Sequence, residues 1–290
     1  MTEFDVNGRT ALVTGAAKGI GYEVARLLHA RGASVTVTDL DQEQCEQGAS
    51  TIGAERTLAI EADVRDPTAL EAAVSATVDR FGGLDIVVAN AGIAPVARPM
   101  SVMDPAEFDR VIDVNLTGVS NTVRAALPQI VARRGHVVVV ASVYAFMNGM
   151  LAMPYAMSKA AVEQMGRALR VELSPQGGSA TVAYFGFVDT DMVRDAFDDP
   201  VSTRLEAVAP RFITRRISST QAAEALVQGI ERRAPRVIAP RWWRVHSVLR
   251  GLINPVFDAR AEKDQRFQQV VREGLAAATP TEAEKPRSAA

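Results

Sequence analysis

The sequence predicts an α/β fold in which helices cover both faces of a parallel sheet. Short, almost wholly apolar runs rich in β-branched residues recur along the chain, and segments with helical periodicity separate them. Strands of this composition are buried on both faces, which is typical of a doubly wound domain. The ligand of such a domain binds at the carboxyl ends of its strands.

Seven strands are predicted, at residues 11–14, 34–38, 56–60, 85–89, 136–141, 180–184 and 236–239. Residues 22–30 between the first two strands have an amphipathic helical pattern. Residues 67–81 repeat apolar side chains with a helical period, at Leu70, Ala73, Val74, Val78 and Phe81. Alternation of strands and helices therefore continues through most of the chain.

The chain is expected to form a single domain over residues 1–240, because no linker or internal repeat interrupts that range. Residues 241–276 are expected to be a helical C-terminal extension. Residues 277–290 are polar and alanine-rich, and we expect a disordered tail there.

Length and composition exclude several function classes. The chain has 290 residues, 48% of them hydrophobic, and its net charge of -2 gives no reason to expect a nucleic-acid partner. The single cysteine, Cys45, excludes an internal disulfide, and three scattered histidines do not match a zinc site, so we expect no metal. Because the chain shows neither a secretory signal nor an apolar run of roughly 20 residues, we expect a soluble, cytoplasmic protein.

A glycine-rich turn follows the first strand. The sequence "TGAAKGIG" places Gly15, Gly19 and Gly21 between that strand and a helix. Glycines let the backbone approach a pyrophosphate, and the helix amino terminus offers free N–H groups and a positive dipole end. The alternative is a tight turn that binds no ligand, since such a turn can also contain these glycines. The position of the turn directly after a strand and directly before a helix favours dinucleotide binding.

Asp39 ends the second strand, 18 positions after Gly21, near the spacing expected for an acid that binds adenosine ribose hydroxyls. A carboxylate there would repel a 2′-phosphate and favours NAD over NADP. Asp39 or Asp41 could instead cap the next helix, and Lys18 could meet a 2′-phosphate. We give Asp39 more weight than Lys18. The free energy lost by placing a 2′-phosphate against a partly desolvated carboxylate exceeds the free energy gained from an exposed lysine.

Tyr155 and Lys159 lie four positions apart, on one face of a predicted helix. Free tyrosine has a pKa of about 10, and a nearby ammonium favours the phenolate that can act as a base. Ser142, 13 positions before Tyr155 at the end of a predicted strand, can stabilise charge on a substrate oxygen. The pair alone is common on helix surfaces, but with Ser142 and the glycine turn it indicates a proton-transfer site.

These motifs together make the sequence similar to the classical short-chain dehydrogenase/reductase family. The turn matches T-G-x-x-x-G-x-G, Asn90-Ala91-Gly92 matches N-A-G after the fourth strand, and Ser142 precedes Y-x-x-x-K. Asn115 in "VNLTG" and the loop through Val188 and Thr190 follow the family order, and the resemblance covers roughly residues 7–240.

The resemblance implies a Rossmann-type fold with a seven-stranded parallel sheet and a catalytic centre of Ser142, Tyr155, Lys159 and Asn115. Asn115 would hold a water that links Lys159 to solvent, although a helix cap or a local bond to the backbone stays an alternative. The implied cofactor contacts are Gly15, Ala17, Lys18, Gly19, Ile20, Gly21, Asp39, Asp63, Val64, Asn90, Ala91, Gly92, Tyr155, Lys159, Val188 and Thr190. A homodimer or homotetramer on helices near residues 114–133 and 155–173 is also implied.

Two positions depart from the family pattern. Phe185-Gly186 replaces the usual Pro-Gly after the sixth strand, which frees the backbone there and leaves the contacts of Val188 and Thr190 open. Ala89 stands where the family often has a second asparagine before Asn90.

The stretch "VYAFMNGMLAMP" joins Ser142 to Tyr155 and has no charged residue. It predicts an apolar pocket for a hydrophobic secondary alcohol or ketone, with a core or subunit-interface role as the alternative. Residues 191–212 correspond to the family's mobile substrate lid, in which Arg194 could meet a polar tail. The candidate pocket residues are Val143, Tyr144, Phe146, Met150, Met153, Met192 and Phe197.

The C-terminal extension has apolar residues at helical spacing, among them Trp242, Val245 and Leu252, interrupted by Arg244 and Arg250. Such a helix can make peripheral contact with a membrane. Packing on its own domain or on a partner subunit is the alternative, and the extension could also cover the substrate cleft.

The leading prediction is therefore an NAD-dependent oxidoreductase that interconverts a hydrophobic secondary alcohol and its ketone. An NADPH-dependent 3-oxoacyl-type ketoreductase is the first alternative, in which Lys18 outweighs Asp39. A non-catalytic dinucleotide-binding protein is the second, and the presence of Ser142, Tyr155 and Lys159 argues against it.

Overall fold

A computed structural model describes residues 4–277, apart from the side chains of Phe197, Arg211 and Phe212. The strands are β1 Thr10–Thr14, β2 Ser34–Asp39, β3 Thr57–Glu61, β4 Ile86–Ala89, β5 His136–Val140, β6 Ser179–Phe185, β7 Val188–Asp189, β8 Ile217–Ser218 and β9 Arg236–Ala239. The helices are α1 Gly19–Ala30, α2 Gln42–Ile52, α3 Pro67–Phe81, α4 Pro105–Ile112, α5 Gly118–Ala132, α6 Met153–Leu173, α7 Asp191–Asp198, α8 Pro200–Val208, α9 Arg211–Thr214, α10 Ser219–Glu231, α11 Trp243–Lys263 and α12 Gln265–Ala277.

Seven strands form one parallel sheet in the order β3-β2-β1-β4-β5-β6-β9, and β7 pairs with β8 in a small second sheet. The chain runs outward from β1 to β3 and then returns to place β4 on the other side of β1. This reversal opens a crevice at the carboxyl ends of β1 and β4, where an open α/β sheet binds its ligand.

The core lies on both faces of this sheet because side chains alternate along each strand. Leu12 and Val87 pack into a cluster with residues of α3, α5 and α6, whereas Val13 and Val88 pack into another with residues of α1 and α10. The central strands are therefore buried on both faces, between two layers of helices, which confirms the predicted doubly wound, Rossmann-type fold.

The predicted strands are all present, with small shifts at their ends. Asp85, predicted to begin the fourth strand, lies just before β4. Its buried carboxylate accepts hydrogen bonds from the Thr10 backbone N–H at 3.1 Å and from Arg133 Nε at 3.1 Å, so it anchors the entry to the strand. The helix predicted over residues 67–81 coincides with α3, and the one predicted from residue 22 begins earlier, at Gly19.

Helices α11 and α12 occupy the C-terminal extension. Trp243 at the start of α11 is 2% exposed, and Arg250 forms hydrogen bonds of 2.9 and 3.0 Å with the buried Glu163 carboxylate of α6. No helix within residues 4–277 is long and apolar enough to cross a membrane. The disordered tail expected over residues 277–290 lies outside the described residues except for Ala277, which ends α12.

Candidate active site

The glycine turn after β1 has a backbone that only glycine adopts readily. Gly15 and Gly19 have φ angles of +62° and +63°, in the left-handed region. A Cβ on Gly15 would lie 2.8 Å from the Cα of Ala91, and one on Gly21 would overlap the Gly15 carbonyl. The turn therefore lies against the loop after β4, and any side chain at these positions would separate them.

Asn90 holds the glycine turn in place. Its Nδ2 donates to the carbonyl oxygens of Thr14 at 2.9 Å and Gly15 at 3.0 Å, and its backbone N–H donates to Thr14 Oγ1 at 3.1 Å. Ala89, the departure next to it, is buried in β4. Asn90 thus lines the crevice and also supports the turn through its amide.

Asp39 lies at the end of β2, at the far side of the crevice. Its Oδ2 accepts a hydrogen bond from the Ala17 backbone N–H at 3.0 Å, and its Oδ1 accepts one from the Leu40 N–H at 2.9 Å. Helix α2 is capped by Asp41, which accepts from the Gln44 N–H at 3.0 Å. The helix cap and the crevice carboxylate are therefore different residues, and Asp39 lines the crevice.

Lys18 points to the lid segment. Its Nζ lies 3.5 Å from Asp191 Oδ2, and both side chains are largely exposed. Arg194 forms ion pairs of 2.6 Å with Asp189 and with Asp191. Asp191, at the start of α7, thus forms ion pairs with both Lys18 and Arg194, and Asp189 of β7 forms a second one with Arg194. The Arg194 guanidinium, which the sequence analysis considered for a polar substrate tail, is therefore already paired.

One cleft brings most of the predicted cofactor residues together. Its lining includes Gly15, Lys18, Gly19, Ile20, Asp39, Asp63, Val64, Asn90, Ala91, Gly92, Tyr155, Lys159, Val188 and Thr190. Ala17 and Gly21 belong to the turn that forms its wall. The sequence prediction missed Leu40, Arg65, Ile93 and Arg110, which also line this cleft.

Lys159 lines the cleft, whereas Asn115 does not line it and lies buried beside Gly92. Lys159 is 3% exposed, and its Nζ donates to the Val140 carbonyl at 2.9 Å. Asn115 lies in a π-helical turn, and its amide makes two 2.8 Å hydrogen bonds with the backbone of Ile93. A Cβ on Gly92 would lie 3.2 Å from Asn115 Oδ1 and 3.4 Å from Lys159 Nζ, so both polar groups border one small space.

Burial dominates the protonation of the Tyr155–Lys159 pair. Burial raises the pKa of the Tyr155 hydroxyl, and its hydrogen bond with Ser142 offsets only part of this. Burial lowers the pKa of Lys159 to about 8. The sequence argument expected the ammonium to lower the tyrosine pKa. The structure differs because both groups are desolvated together, which favours the neutral form of each.

Ser142 follows β5 and lines an apolar cavity. Its Oγ lies 3.3 Å from the Phe185 carbonyl, to which it donates, and accepts from the Tyr144 N–H at 3.3 Å. The cavity, here called the inner pocket, has a volume of about 110 Å³. Tyr155 lines the inner pocket and the cleft alike, so one hydroxyl-bearing side chain borders both spaces.

Most predicted pocket residues line the inner pocket: Val143, Tyr144, Met150 and Met192. Phe146 does not, because it is 4% exposed and packs 5.7 Å from Tyr184 and 6.4 Å from Trp243, measured between ring centres. Met153 does not either, because it is 40% exposed at the start of α6. The side chain of Phe197 lies outside the described residues.

The inner pocket also has walls that the sequence argument missed, namely Ala94, Pro95, Ala97 and Phe187, and it includes Leu151 of the predicted stretch and Ser202 and Leu205 of the predicted lid. Ala94 and Pro95 follow directly on Asn90-Ala91-Gly92, and their position after the fourth strand was an available signal. Phe187 carried no such signal, because only the tertiary structure brings it to this site.

Gly186, in the Phe185-Gly186 pair that departs from the family pattern, packs against the start of the C-terminal extension. A Cβ on Gly186 would lie 2.6 Å from Trp243 Nε1 and 3.3 Å from Pro240 Cδ. Gly186 also lines both the cleft and the inner pocket. The first turn of α11 therefore packs directly behind the loop that borders the two cavities.

Comparison with known proteins gives a family match and close structural similarity. The family model described as short chain dehydrogenase matches residues 9–201. Oxidoreductase UcpA of Salmonella typhimurium is 36% identical over 215 residues, which cover 69% of this chain and 79% of that protein. Cis-4-hydroxycyclohexanecarboxylate dehydrogenase of Sinomonas cyclohexanicum is 33% identical over 220 residues, 75% of this chain and 87% of that protein. The crystal structure of levodione reductase is 28% identical, with a TM-score of 0.74 over 80% of this chain and 96% of that chain.

Proposed function

This chain belongs to the short-chain dehydrogenase family, and we propose that it interconverts a hydrophobic secondary alcohol and its ketone with NAD. It is an oxidoreductase acting on CH–OH groups, and members of the family bind NAD or NADP. One observation carries the proposal. Tyr155 lines both the cleft with the glycine turn and the apolar inner pocket. The residue proposed to transfer the proton therefore borders both the space for the cofactor and the space for the substrate, between which the hydride would pass.

The chemistry of the cleft fits a dinucleotide. The glycine turn would hold the pyrophosphate against the amino terminus of α1, because any Cβ there would fill the approach. Asp39 would bind the ribose hydroxyls of the adenosine half, and Lys159 with Val188 and Thr190 would border the other half. Because the Asp39 carboxylate would repel a 2′-phosphate while Lys18 is paired with Asp191, we propose NAD as the cofactor.

The chain's own residues supply orientation and proton transfer. The bound dinucleotide supplies the hydride acceptor in oxidation and the hydride donor in reduction. Ser142 donates a hydrogen bond to the substrate oxygen and stabilises the charge that develops there. Tyr155 accepts the alcohol proton in oxidation and returns a proton to the oxygen in reduction. Lys159 and Asn115 hold the polar end of a path by which that proton reaches solvent.

A panel of hydrophobic secondary alcohols and their ketones tests this proposal, with NADH formation or consumption measured by absorbance. We expect turnover with NAD exceeding that with NADP. A strong preference for NADP would overturn the assignment of Asp39 and favour the NADPH-dependent 3-oxoacyl-type reductase. Absence of turnover with either cofactor, together with measurable NAD binding, would favour the non-catalytic alternative.

We also propose a cytoplasmic homodimer or homotetramer that uses α5 and α6. Met157 and Val171 on α6 are 51% and 74% exposed, which leaves apolar surface on the helix that the family resemblance assigns to subunit contact. Light scattering of the purified chain measures its mass in solution. A monomeric mass at micromolar concentration would contradict this assignment.

The outer face of α11 supports a proposal of peripheral membrane contact. Val245, Val248 and Leu252 are 62%, 64% and 73% exposed along that helix, and Arg241 and Arg244 lie beside them near its start. Exposed apolar side chains flanked by arginine suit an anionic lipid surface. Sedimentation with anionic and neutral vesicles tests it, and we expect pelleting with the anionic ones that Val248→Glu abolishes. No pelleting of the unaltered chain would refute the contact.

A further inference from the structure

A second cavity, here called the outer chamber, lies between the lid helices and the C-terminal extension. Its volume is about 300 Å³, and α11 and α12 contribute Phe257, Ala261 and Phe267 to its wall. The residues that line both the outer chamber and the inner pocket are Tyr144, Met150, Phe187 and Leu205. The two cavities are therefore neighbours that share these four residues as part of their walls.

The wall that the extension contributes is firmly packed. Val270 of α12 is 1% exposed and lies in a cluster with Leu151 and Val201. A Cβ on Gly274 would lie 2.9 Å from Pro99 Cδ, so α12 is in close contact with the loop beside the inner pocket. Helix α11 is held by Asn254, whose Nδ2 donates to the Phe146 carbonyl at 2.8 Å. The chamber is thus a formed space in the fold.

The chemistry of the chamber selects against anions. Its inner surface is mainly apolar, and its polar lining includes the carboxylates of Glu206, Asp258 and Glu262. No lysine or arginine is among the described side chains that line it. Glu206 is already paired with Arg216 at 3.1 Å, so an anionic group placed there would meet the exposed carboxylates of Asp258 and Glu262, which makes its binding unfavourable.

We propose that the outer chamber binds the apolar tail of an elongated, uncharged secondary alcohol or ketone whose reacting carbon lies in the inner pocket. This inference rests on the proposed function and narrows its substrate class. The tail passes between Tyr144, Met150, Phe187 and Leu205. A carboxylate or phosphate at the far end of the tail is disfavoured by the exposed carboxylates of Asp258 and Glu262.

A homologous series of 2-alkanols from 2-butanol to 2-dodecanol tests the length requirement with NAD. Each methylene that enters an apolar site favours binding by about fourfold, so kcat/KM rises steeply with chain length until the chamber is filled. A kcat/KM that is flat along the series, or that is highest for the shortest alcohols, would overturn the inference. In that outcome the proposed function still stands, because the short alcohols are turned over.

Ala261→Phe fills the chamber from the side of α11. We expect kcat/KM for 2-dodecanol to fall by about 16-fold or more, the equivalent of at least two displaced methylenes, with little change for 2-butanol. Ala259→Phe is the matched control, because Ala259 is exposed on the same helix and does not line either cavity. An equal loss for both alcohols, or an equal effect of the two variants, would refute the role of the chamber.

Direct binding separates failure of the inference from failure of the proposed function. Titration calorimetry with 2-dodecanone measures occupancy of the chamber without turnover, and we expect Ala261→Phe to weaken binding and Ala259→Phe to leave it unchanged. If 2-dodecanone binds and Ala261→Phe weakens its binding, but no alcohol or ketone is turned over, the proposed function is wrong and the role of the chamber stands. If substrates are turned over but Ala261→Phe does not weaken binding of 2-dodecanone, the role of the chamber is wrong and the proposed function stands. We also expect 11-hydroxydodecanoate, which carries an anionic far end, to react more slowly than 2-dodecanol, and equal rates would contradict the charge selection.

Discussion

Lys159 Nζ lies 5.5 Å from the centre of the Tyr155 ring, one turn along the same helix, while it donates to the Val140 carbonyl at 2.9 Å. The carbonyl at the end of β5 thus holds the ammonium beside the aromatic ring. Because Ser142 also follows β5, a single strand end positions two of the four polar groups of the candidate centre, Ser142 and Lys159.

Replacing Tyr155 with phenylalanine removes the hydroxyl that borders both cavities and preserves the ring. We expect kcat for alcohol oxidation to fall by about 10²–10⁴-fold, because the substrate proton loses its acceptor. NAD binding, measured by calorimetry, should stay within about twofold, since the hydroxyl is one of many groups in the cleft. Tyr22→Phe on α1 is the control for the substitution itself, and full activity of Tyr155→Phe would refute the mechanism.

The raised pKa of Tyr155 predicts opposite pH dependence in the two directions. Oxidation needs the deprotonated hydroxyl, so its kcat/KM should rise from about pH 7 into the alkaline range. Reduction needs the protonated hydroxyl and should be favoured at neutral and lower pH. Initial rates of a matched alcohol and ketone across this range measure both. Parallel profiles would show that Tyr155 does not carry the proton.

Asp39→Ser should shift cofactor preference toward NADP. Removing the carboxylate eliminates like-charge repulsion with a 2′-phosphate, and we expect the ratio of kcat/KM for NADP to that for NAD to rise by about 10- to 100-fold, or about 1.4–2.8 kcal/mol. Asp41→Ser is the matched control, because serine keeps the cap of α2 and position 41 does not line the cleft. An unchanged ratio in Asp39→Ser would contradict the role of Asp39.

His136 predicts a loss of stability in acid. Burial lowers its pKa to about 3, with smaller contributions from Arg233 and Arg170, and its two ring nitrogens are hydrogen-bonded to Ser179 and Thr181. The unfolded chain therefore binds a proton that the folded chain does not, over the range from about pH 6.5 down to about pH 3. The free energy of unfolding should therefore decrease as the pH is lowered through that range, by up to about 1 kcal/mol per pH unit from this group.

Urea unfolding of the unaltered chain and of His136→Gln, measured from about pH 7 to about pH 4.5, isolates this contribution. The glutamine variant should be less stable at neutral pH, and the difference should narrow as the pH falls. A difference that stays constant with pH would show that His136 does not titrate between the folded and unfolded states.

Gly186→Ala should destabilise the fold. The added methyl would meet the Trp243 indole at 2.6 Å, and overpacking of this kind costs about 1–3 kcal/mol. Gly251→Ala is the control, because a Cβ there meets nothing within 4 Å and alanine favours the helix. Denaturant unfolding measures both free energies, and a Gly186→Ala variant as stable as the unaltered chain would contradict the close packing of Trp243 on this loop.

The parallel sheet and the cleft were predictable because their determinants are local. Each strand is a short β-branched run, and the glycine turn must follow β1 directly to place its N–H groups at a helix amino terminus. Tyr155 and Lys159 depend only on helical spacing. Their roles still rest on the proposed function, and the structure contributes the geometry that brings them to one end of the cleft.

Which apolar residues line a pocket and which pack in the core could not be predicted in this way. Phe146 and Tyr144 are alike in the sequence, yet Tyr144 borders both cavities while Phe146 packs toward Trp243, nearly a hundred residues later. Local sequence determines that a segment is apolar and which elements it forms. Whether its side chains line a pocket or a core depends on which distant surface packs against them, and only the tertiary structure of the lid and the C-terminal helices decided that.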